Sequence, residues 1–422
     1  MIRFIEPALY SAGIALYAGG VRIAALSNPK AKLMSEGHER IFSVLKDNIS
    51  PSERYIWFHA ASLGEFEQGR PLMERLRVIH PELKIILTFF SPSGYEVRKN
   101  YEGADVICYL PFDTPGNVRK FLDIVNPEVA VFIKYEIWRN YLHELTRRKI
   151  PTYLVSAIFR PNQIFFKPLG KQYRKWLHLF DKIFVQDERS RRLLSGIGYE
   201  KAVISGDTRF DRVLEISEAK KEIPELRNFT EGAQMVMMAG SSWEKDEEIY
   251  IPWINKHPEV KLVIAPHEFD EERLQKLRNR FIHGAVLFSE ARSNADCLRD
   301  SQVLIIDCFG LLSSAYTYCD VAYIGGAFGA GLHNINEAAV YGVPVVFGPK
   351  FDKFLEAVEL TELGGATSIA SREEFEAFAN KMLNNPGERK KAGEIACNYI
   401  RRKAGASEII LNDILQKIRK LH

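Results

Sequence analysis

Short apolar runs alternate with longer amphipathic stretches along most of this chain. The first set of runs is Tyr55–Ala61, Lys84–Phe90, Ala104–Leu110, Glu128–Ile133, Thr152–Ala157, Lys182–Gln186 and Ala202–Ser205. Most are continuous rather than alternating, as expected of strands buried on both faces of a parallel sheet. Helical segments such as Gly69–His80 and Pro115–Val125 lie between them. The polar, charged stretch Ile216–Gly232 reads as a linker. A second set follows: Met235–Gly240, Val260–Ala265, Ala285–Phe288, Val303–Asp307, Val321–Gly325, Pro344–Phe347 and Thr367–Ala370. The β-α-β-α pattern therefore occurs twice, in halves of similar length. It predicts two doubly wound α/β domains facing each other, with ligands at the carboxyl ends of strands and in the cleft between the domains.

One apolar run does not fit that alternation. Pro7 to Val21 is 15 residues without a charge, between Glu6 and Arg22. A spanning helix wants about 20 apolar residues. Three readings stay open: a signal or spanning segment, a helix lying on a membrane, and a buried first helix. Tyr10 and Tyr17 suit an interface, being apolar with a polar tip.

Composition narrows the function classes. The 422 residues are 46% apolar and 26% charged, which is ordinary for a globular protein and argues against disorder. Lys plus Arg is 57 and Asp plus Glu is 54, a net of +3, so no bulk charge of the nucleic-acid-binding kind exists. The charge is uneven, however. Arg139 to Arg192 holds 13 basic and 4 acidic residues, a net of +9, and the remainder sums to −6. Phe159, Phe165, Phe166, Tyr173, Trp176 and Phe180 are interleaved there. Such a mixture suits an anionic membrane surface or a phosphorylated lipid. Single-stranded nucleic acid would use the same ingredients, and a solvated face is the plain alternative. Five scattered cysteines without a CxxC pair read as reduced, mostly buried thiols. There is no Walker A sequence, no G-x-G-x-x-G, no H-E-x-x-H and no D-x-D. ATP hydrolysis, ordinary dinucleotide binding and a zinc site lose support, and any nucleotide phosphate must be neutralised by protein groups.

Two segments are the strongest candidates for chemistry. In His59-Ala60-Ala61-Ser62-Leu63-Gly64-Glu65, a strand runs through small residues into a helix. Glu65 in its first turn could take a proton from a hydroxyl, or Ser62 and Glu65 could simply form a capping box. In Gly325-Gly326-Ala327-Phe328-Gly329-Ala330-Gly331-Leu332-His333-Asn334-Ile335-Asn336-Glu337, a glycine-rich loop leads into a helix carrying Ala338–Tyr341. Free backbone N–H groups and the helix dipole could hold a phosphate there, and Glu337 a ribose diol. Asn334 and Glu337 again have capping-box spacing. Gly206-Asp207-Thr208-Arg209-Phe210-Asp211 could place Arg209 against an acidic group, or be a surface turn.

Together with Glu136-Ile137-Trp138, Tyr341-Gly342-Val343-Pro344 and Phe347-Gly348-Pro349, these segments resemble the 3-deoxy-D-manno-octulosonic acid (Kdo) transferases of lipopolysaccharide synthesis, from about Ser27 to about Gly405. The resemblance implies a GT-B fold of two Rossmann-like domains facing across a cleft. It implies inverting transfer without metal or cofactor, from CMP-Kdo to the lipid A precursor, at the cytoplasmic face of the inner membrane. Nucleic acid is not an implied partner. Glu65 would be the general base, with Ser62, Gly64, Glu136 and Arg160 on the acceptor side. Arg209, Ser241, Ser242, His267, Phe309, Gly310, Gly325, Gly326, His333, Asn334 and Glu337 would bind the donor. The expected divisions are a membrane-associated helix at 1–26, an acceptor domain at 27–215, a donor domain at 233–405 and a helix at 406–422 packing back on the acceptor domain. Lys134, Arg139, Pro266, Leu311 and Leu332 depart from the family pattern. Rival readings are another nucleotide-sugar glycosyltransferase of this fold and an inactive module binding anionic lipid.

Overall fold

The structure, a computed structural model, describes residues 2–219, 221–299 and 301–420. Each of the fourteen apolar runs overlaps a strand. The first seven are β1 (Tyr55–Ala60), β2 (Lys84–Phe89), β3 (Val106–Tyr109), β4 (Val129–Ile133), β5 (Thr152–Ala157), β6 (Lys182–Val185) and β7 (Ala202–Ile204). They form a sheet in the order β3-β2-β1-β4-β5-β6-β7. The others are β8 (Met235–Ser242), β9 (Val260–Pro266), β10 (Ala285–Leu287), β11 (Val303–Ile305), β12 (Val321–Ile324), β13 (Val345–Phe347) and β14 (Ala366–Ser368), in the order β10-β11-β9-β8-β12-β13-β14. The pairings are parallel in both sheets. Chain order reverses between β1 and β4 in one sheet and between β8 and β12 in the other. Every residue of β1 and β4 is buried, which explains their unbroken apolar pattern.

The chain divides into two compact units. Unit 1 takes the residues up to Arg212 and those from Ala404 on; unit 2 is Val213–Lys403. The expected linker is largely helical instead. It includes the end of a helix over Thr208–Glu218 and a second helix, Pro224–Thr230. Ile223, Leu226 and Phe229 are buried at three-residue spacing, enough to pack a short helix that polar neighbours conceal in the sequence.

Unit 1 begins with α1 (Ile2–Ala24), α2 (Pro29–Asn48) and α3 (Leu63–Ile79). On one face of its sheet, Ile41 and Leu45 of α2 join Trp57, Phe121, Phe132 and Tyr141. On the other, Phe66, Leu72 and Met73 of α3 share a cluster with Ile410, Leu411, Ile414 and Ile418 of the helix Ala406–Arg419. Asp211 fastens that helix: its carboxylate accepts the N–H groups of Gly405 (2.5 Å) and Ser407 (2.7 Å). Asp211, one of the motif residues, is thus a helix cap.

α1 is bound to unit 1 by one face only. Tyr10 donates its hydroxyl hydrogen to Asp113 (2.7 Å), its ring meets Trp176 edge-on at 5.3 Å, and Asn140 reaches Ser11. Tyr17 stacks on Phe90, and Val21 is buried. Leu9, Leu16 and Ile23, spaced by seven, stand on the other side at 67%, 77% and 72% exposure. Among the described residues no helix is long and apolar enough to cross a membrane. Burial lifts the Asp113 carboxyl to about 6, although it accepts Tyr10 and the N–H groups of Asn140 and Tyr141. Arg139 lies buried nearby and offsets its charge, which accounts for a basic side chain at that departure from the family pattern.

The basic block is corrected by its packing. Phe159, Trp176 and Phe180 are core residues, and Phe165, Phe166 and Tyr173 pack against that core. Arg147 and Arg148 pair with Glu144, Lys182 with Asp413, and Arg191 and Arg192 with Glu188. The exposed apolar side chains here are Ile164 and Leu169, beside Lys167, Lys171 and Lys175. Of the cysteines, Cys108 and Cys319 are buried and Cys308 is exposed; all five are free.

Candidate active site

Sheets of this kind hold ligands where strand order reverses, at the carboxyl ends. In unit 1 that point is the end of β1 and β4. A buried relay starts below it. The Trp57 indole donates to Thr88 Oγ1 (2.8 Å), and Thr88 Oγ1 lies 2.9 Å from His59 Nδ1. His59 Nε2 lies 3.0 Å from Glu136 Oε2, and the Trp138 indole donates to the same oxygen at 2.7 Å. His59 is fully buried, so it positions Glu136 rather than meeting a ligand itself. Rings continue outward, from Trp138 to Phe90 (4.8 Å) and from Phe90 to Tyr17 of α1 (6.0 Å).

Glu65 stands in the first turn of α3, half-buried. Ser62 is extended (φ −142°, ψ 177°) and makes no side-chain cap to the helix. Its hydroxyl donates to Glu65 Oε2 instead. The capping box is therefore not formed, and the helix start presents a carboxylate oriented by a hydroxyl. Exposed Gly64 leaves the approach to it without a side chain.

Cations collect at the same edge. Lys134 follows β4 with φ 69°, a left-handed conformation that costs about 1–3 kcal/mol for a non-glycine residue. Burial, then Arg209, lower its pKa; Glu65 and Asp207 oppose that, and Arg160 adds to it. Arg160 follows β5 with an exposed side chain. Arg209 is already in an ion pair with Asp207 (2.7 Å), whose carboxylate also accepts the Arg209 N–H. It would meet an acidic ligand as half of that pair, not as a lone cation.

In unit 2 the reversal point lies at the ends of β8 and β12. Ser241 has φ 51° and Ser242 is buried, its hydroxyl 2.7 Å from the Tyr250 hydroxyl. Ser242 therefore has no side-chain hydroxyl turned to a ligand. Asp246, near the start of the helix Glu244–Ile254, accepts the N–H of Trp243 (3.0 Å), the N–H of Gly326 (2.9 Å) and the Tyr323 hydroxyl (3.0 Å). Burial raises its pKa. Gly325 needs its bare Cα, because a Cβ there would come within 2.2 Å of the Ser241 carbonyl oxygen.

The glycine loop differs from expectation in two respects. The helix it leads into is one turn, Asn336–Ala339, ended by Gly342 at φ +76°, so a helix dipole contributes little. The N–H groups of Gly329, Gly331 and His333 bond to carbonyls within the loop, that of Gly325 to the Gly240 carbonyl and that of Gly326 to the Asp246 carboxylate. Side chains add chemistry of their own. Asn334 donates to Glu337 Oε1 (3.1 Å) and Ser313 to Glu337 Oε2 (2.5 Å). His267 stacks on Trp243 (4.5 Å) and lies tilted against His333 (4.4 Å), and burial plus His267 lower the His333 pKa to about 4. Phe309, 86% exposed, leans on Phe269 at 5.1 Å, followed by Gly310 at φ +88°. A cavity of about 580 Å³ opens beside the loop, lined by Trp243, Lys245, Asp246, Phe269, Arg273 and Phe328.

Of the residues expected to bind the donor, Arg209 belongs to unit 1 and the others to unit 2. Sequence reasoning missed Trp243, Asp246 and Thr88, which act through other residues and carry no motif of their own.

Residues 36–212 match the family model of the 3-deoxy-D-manno-octulosonic-acid transferases. The 3-deoxy-D-manno-octulosonic acid transferase of Haemophilus influenzae is 27% identical over 374 residues, covering 86% of this chain and 87% of the relative. That of Rickettsia felis is 27% identical over 391 residues, covering 90% and 82%. Among solved structures, UDP-GlcNAc 2-epimerase of Neisseria meningitidis bound to UDP-GlcNAc has a TM-score of 0.58 at 15% identity, covering 86% of this chain and all of that one. MurG of Acinetobacter baumannii has a TM-score of 0.54 at 11% identity, covering 86% and 99%. The fold is GT-B, and the resemblance to Kdo transferases extends over most of the chain.

Proposed function

We infer that this chain, a glycosyltransferase whose sequence carries the Kdo-transferase domain, moves Kdo from CMP-Kdo to a sugar hydroxyl of the lipid A precursor, with inversion and without a metal. The observation that carries the reading is the Glu65 carboxylate, held by the Ser62 hydroxyl where strand order reverses in unit 1. Glu65 takes the proton of the acceptor hydroxyl. The freed electron pair forms a bond to the anomeric carbon of Kdo, and the bond from that carbon to the phosphate oxygen breaks. CMP departs with the electron pair, so one displacement inverts the centre and no protein nucleophile is used. A monophosphate leaving group suits N–H donors such as His333 and Asn334. Glu337 is the ribose ligand, sharing its carboxylate with Ser313 and Asn334. Lys134 and Arg160 are the cations beside Glu65 on the acceptor side, and the Arg209–Asp207 pair is available to an acidic group of the donor.

The acceptor is a lipid, and α1 offers Leu9, Leu16 and Ile23 to a bilayer. The Tyr10–Trp176 contact packs the opposite face of α1 against the helix Lys171–Leu177, whose Lys171 and Lys175 charges favour anionic headgroups. The protein accordingly works on the cytoplasmic surface of the inner membrane. Product analysis by mass spectrometry tests the reading, with lipid IVA as acceptor, CMP-Kdo or a UDP-sugar as donor, and chelator present or absent. We expect a mass increase of one or more Kdo from CMP-Kdo alone, unchanged by chelator. Transfer from a UDP-sugar instead, or no transfer, overturns it.

A further inference from the structure

We propose that Trp243 is a positioning residue for His333, fixing the imidazole in the tautomer that carries its proton on Nδ1 and so presenting a neutral N–H donor to an anionic group of the nucleotide donor. The proposal rests on the reading that His333 meets that donor. The Trp243 indole Nε1 lies 3.1 Å from His333 Nε2, with the two rings 16° from parallel. An indole nitrogen only donates, so His333 Nε2 must accept. A neutral imidazole has one N–H, which is then on Nδ1. No described protein group bonds to that nitrogen, and it is absent from the fully enclosed, unpartnered atoms of the structure.

Two further features hold the arrangement. His267 packs against both of the bonded rings, at 4.5 Å from Trp243 and 4.4 Å from His333, so the imidazole plane cannot turn freely. Asp246 accepts the backbone N–H of Trp243 and that of Gly326, tying indole and glycine loop to one carboxylate. Burial and His267 keep His333 uncharged across the physiological range. Five N–H groups of the glycine loop, those of Gly325, Gly326, Gly329, Gly331 and His333, are already bonded to protein acceptors. A side-chain N–H is therefore a natural substitute, and Trp243 decides which nitrogen supplies it.

The test is long-range ¹H–¹⁵N correlation spectroscopy on the full chain labelled with ¹⁵N-histidine, His333 being assigned by its loss in His333→Gln. Wild type should show the Nδ1–H tautomer of a neutral ring from pH 5.5 to 8. Trp243→Phe keeps a stacking ring but no N–H. It should shift the tautomer toward Nε2–H and weaken CMP binding by on the order of five- to tenfold, the size expected for one misdirected hydrogen bond. An Nε2–H tautomer in wild type overturns the proposal without any variant. So does a Trp243→Phe protein whose tautomer and CMP affinity match wild type; a purely structural role would lower the melting temperature and leave the tautomer alone. Wild-type Nδ1–H together with no use of CMP-Kdo would instead sink the donor assignment while leaving the Trp243–His333 coupling intact.

Discussion

Removal of the Glu65 carboxylate separates the chemistry of this site from its architecture. In Glu65→Ala the acceptor hydroxyl loses its proposed base, and the Ser62 hydroxyl loses its partner. A positioned general base contributes about 10²–10⁴ in rate, or about 2.7–5.4 kcal/mol of barrier. The stability side is smaller. Glu65 is half-buried and touches the fold chiefly as a first-turn carboxylate, worth about 0.3–1 kcal/mol. For a unit of this size that corresponds to a melting shift of no more than about 4 °C. Turnover of lipid IVA with CMP-Kdo, followed by mass spectrometry, should therefore fall at least a hundredfold, while calorimetry and CMP titration stay close to wild type. Glu65→Gln should behave alike, since it keeps shape but cannot take the proton. Retention of more than about a tenth of wild-type kcat would refute the role. So would a collapse in melting temperature large enough to explain the lost turnover, because α3 would then depend on Glu65 as a cap.

Ser62→Ala should lower kcat by about tenfold, the value of one hydrogen bond to a charged group, with an unchanged melting temperature; a loss of about 1 kcal/mol of stability at full activity would restore the capping interpretation. Leu16→Asp combined with Ile23→Asp should weaken flotation with anionic vesicles by at least a hundredfold, since each leucine-sized side chain buried contributes about 1.5–3 kcal/mol, and unchanged flotation would remove α1 from the contact. Asp113 predicts a pH effect with a definite sign. Its carboxyl sits at about 6 when folded against 3.8 ordinarily, so its contribution is present at low pH and lost as pH rises through 6. The shift is worth about 3 kcal/mol, and urea titrations from pH 4 to 7 should show wild type losing stability relative to Asp113→Asn; parallel pH profiles would contradict it.

The strands were legible because burial on both faces leaves a continuous apolar signature that polar neighbours cannot disguise. The helices of 208–230 were not, since Ile223, Leu226 and Phe229 are three apolar residues among many charges. The aromatics of the basic block show the reverse failure. Composition placed Trp176 and Phe180 beside lysines, but only packing reveals that the rings turn inward and the ammonium groups outward. At the site, Ser62 and Glu65 were visible as a pair, yet their three-residue spacing serves a cap and a base equally. The Ser62 hydroxyl's choice of Glu65 over the backbone removes the cap and leaves the carboxylate available for the proposed role. The glycine loop advertised backbone donors, five of which its own carbonyls, Gly240 and Asp246 then occupied. Trp243 left no trace in the sequence, because its role depends on a histidine 90 positions away.

The helix Ala406–Arg419 has a consequence for how the molecule comes into being. Unit 1 is discontinuous: one sheet face is closed by Ile410, Leu411, Ile414 and Ile418, which the ribosome makes after all of unit 2. During synthesis, part of the apolar surface around Phe66, Leu72 and Met73 waits uncovered while an entire second domain is assembled. Domains generally fold as they emerge, so unit 2 can be complete before unit 1 is. Asp211, fixed early and waiting for the N–H groups of Gly405 and Ser407, is the latch on which that late closure catches.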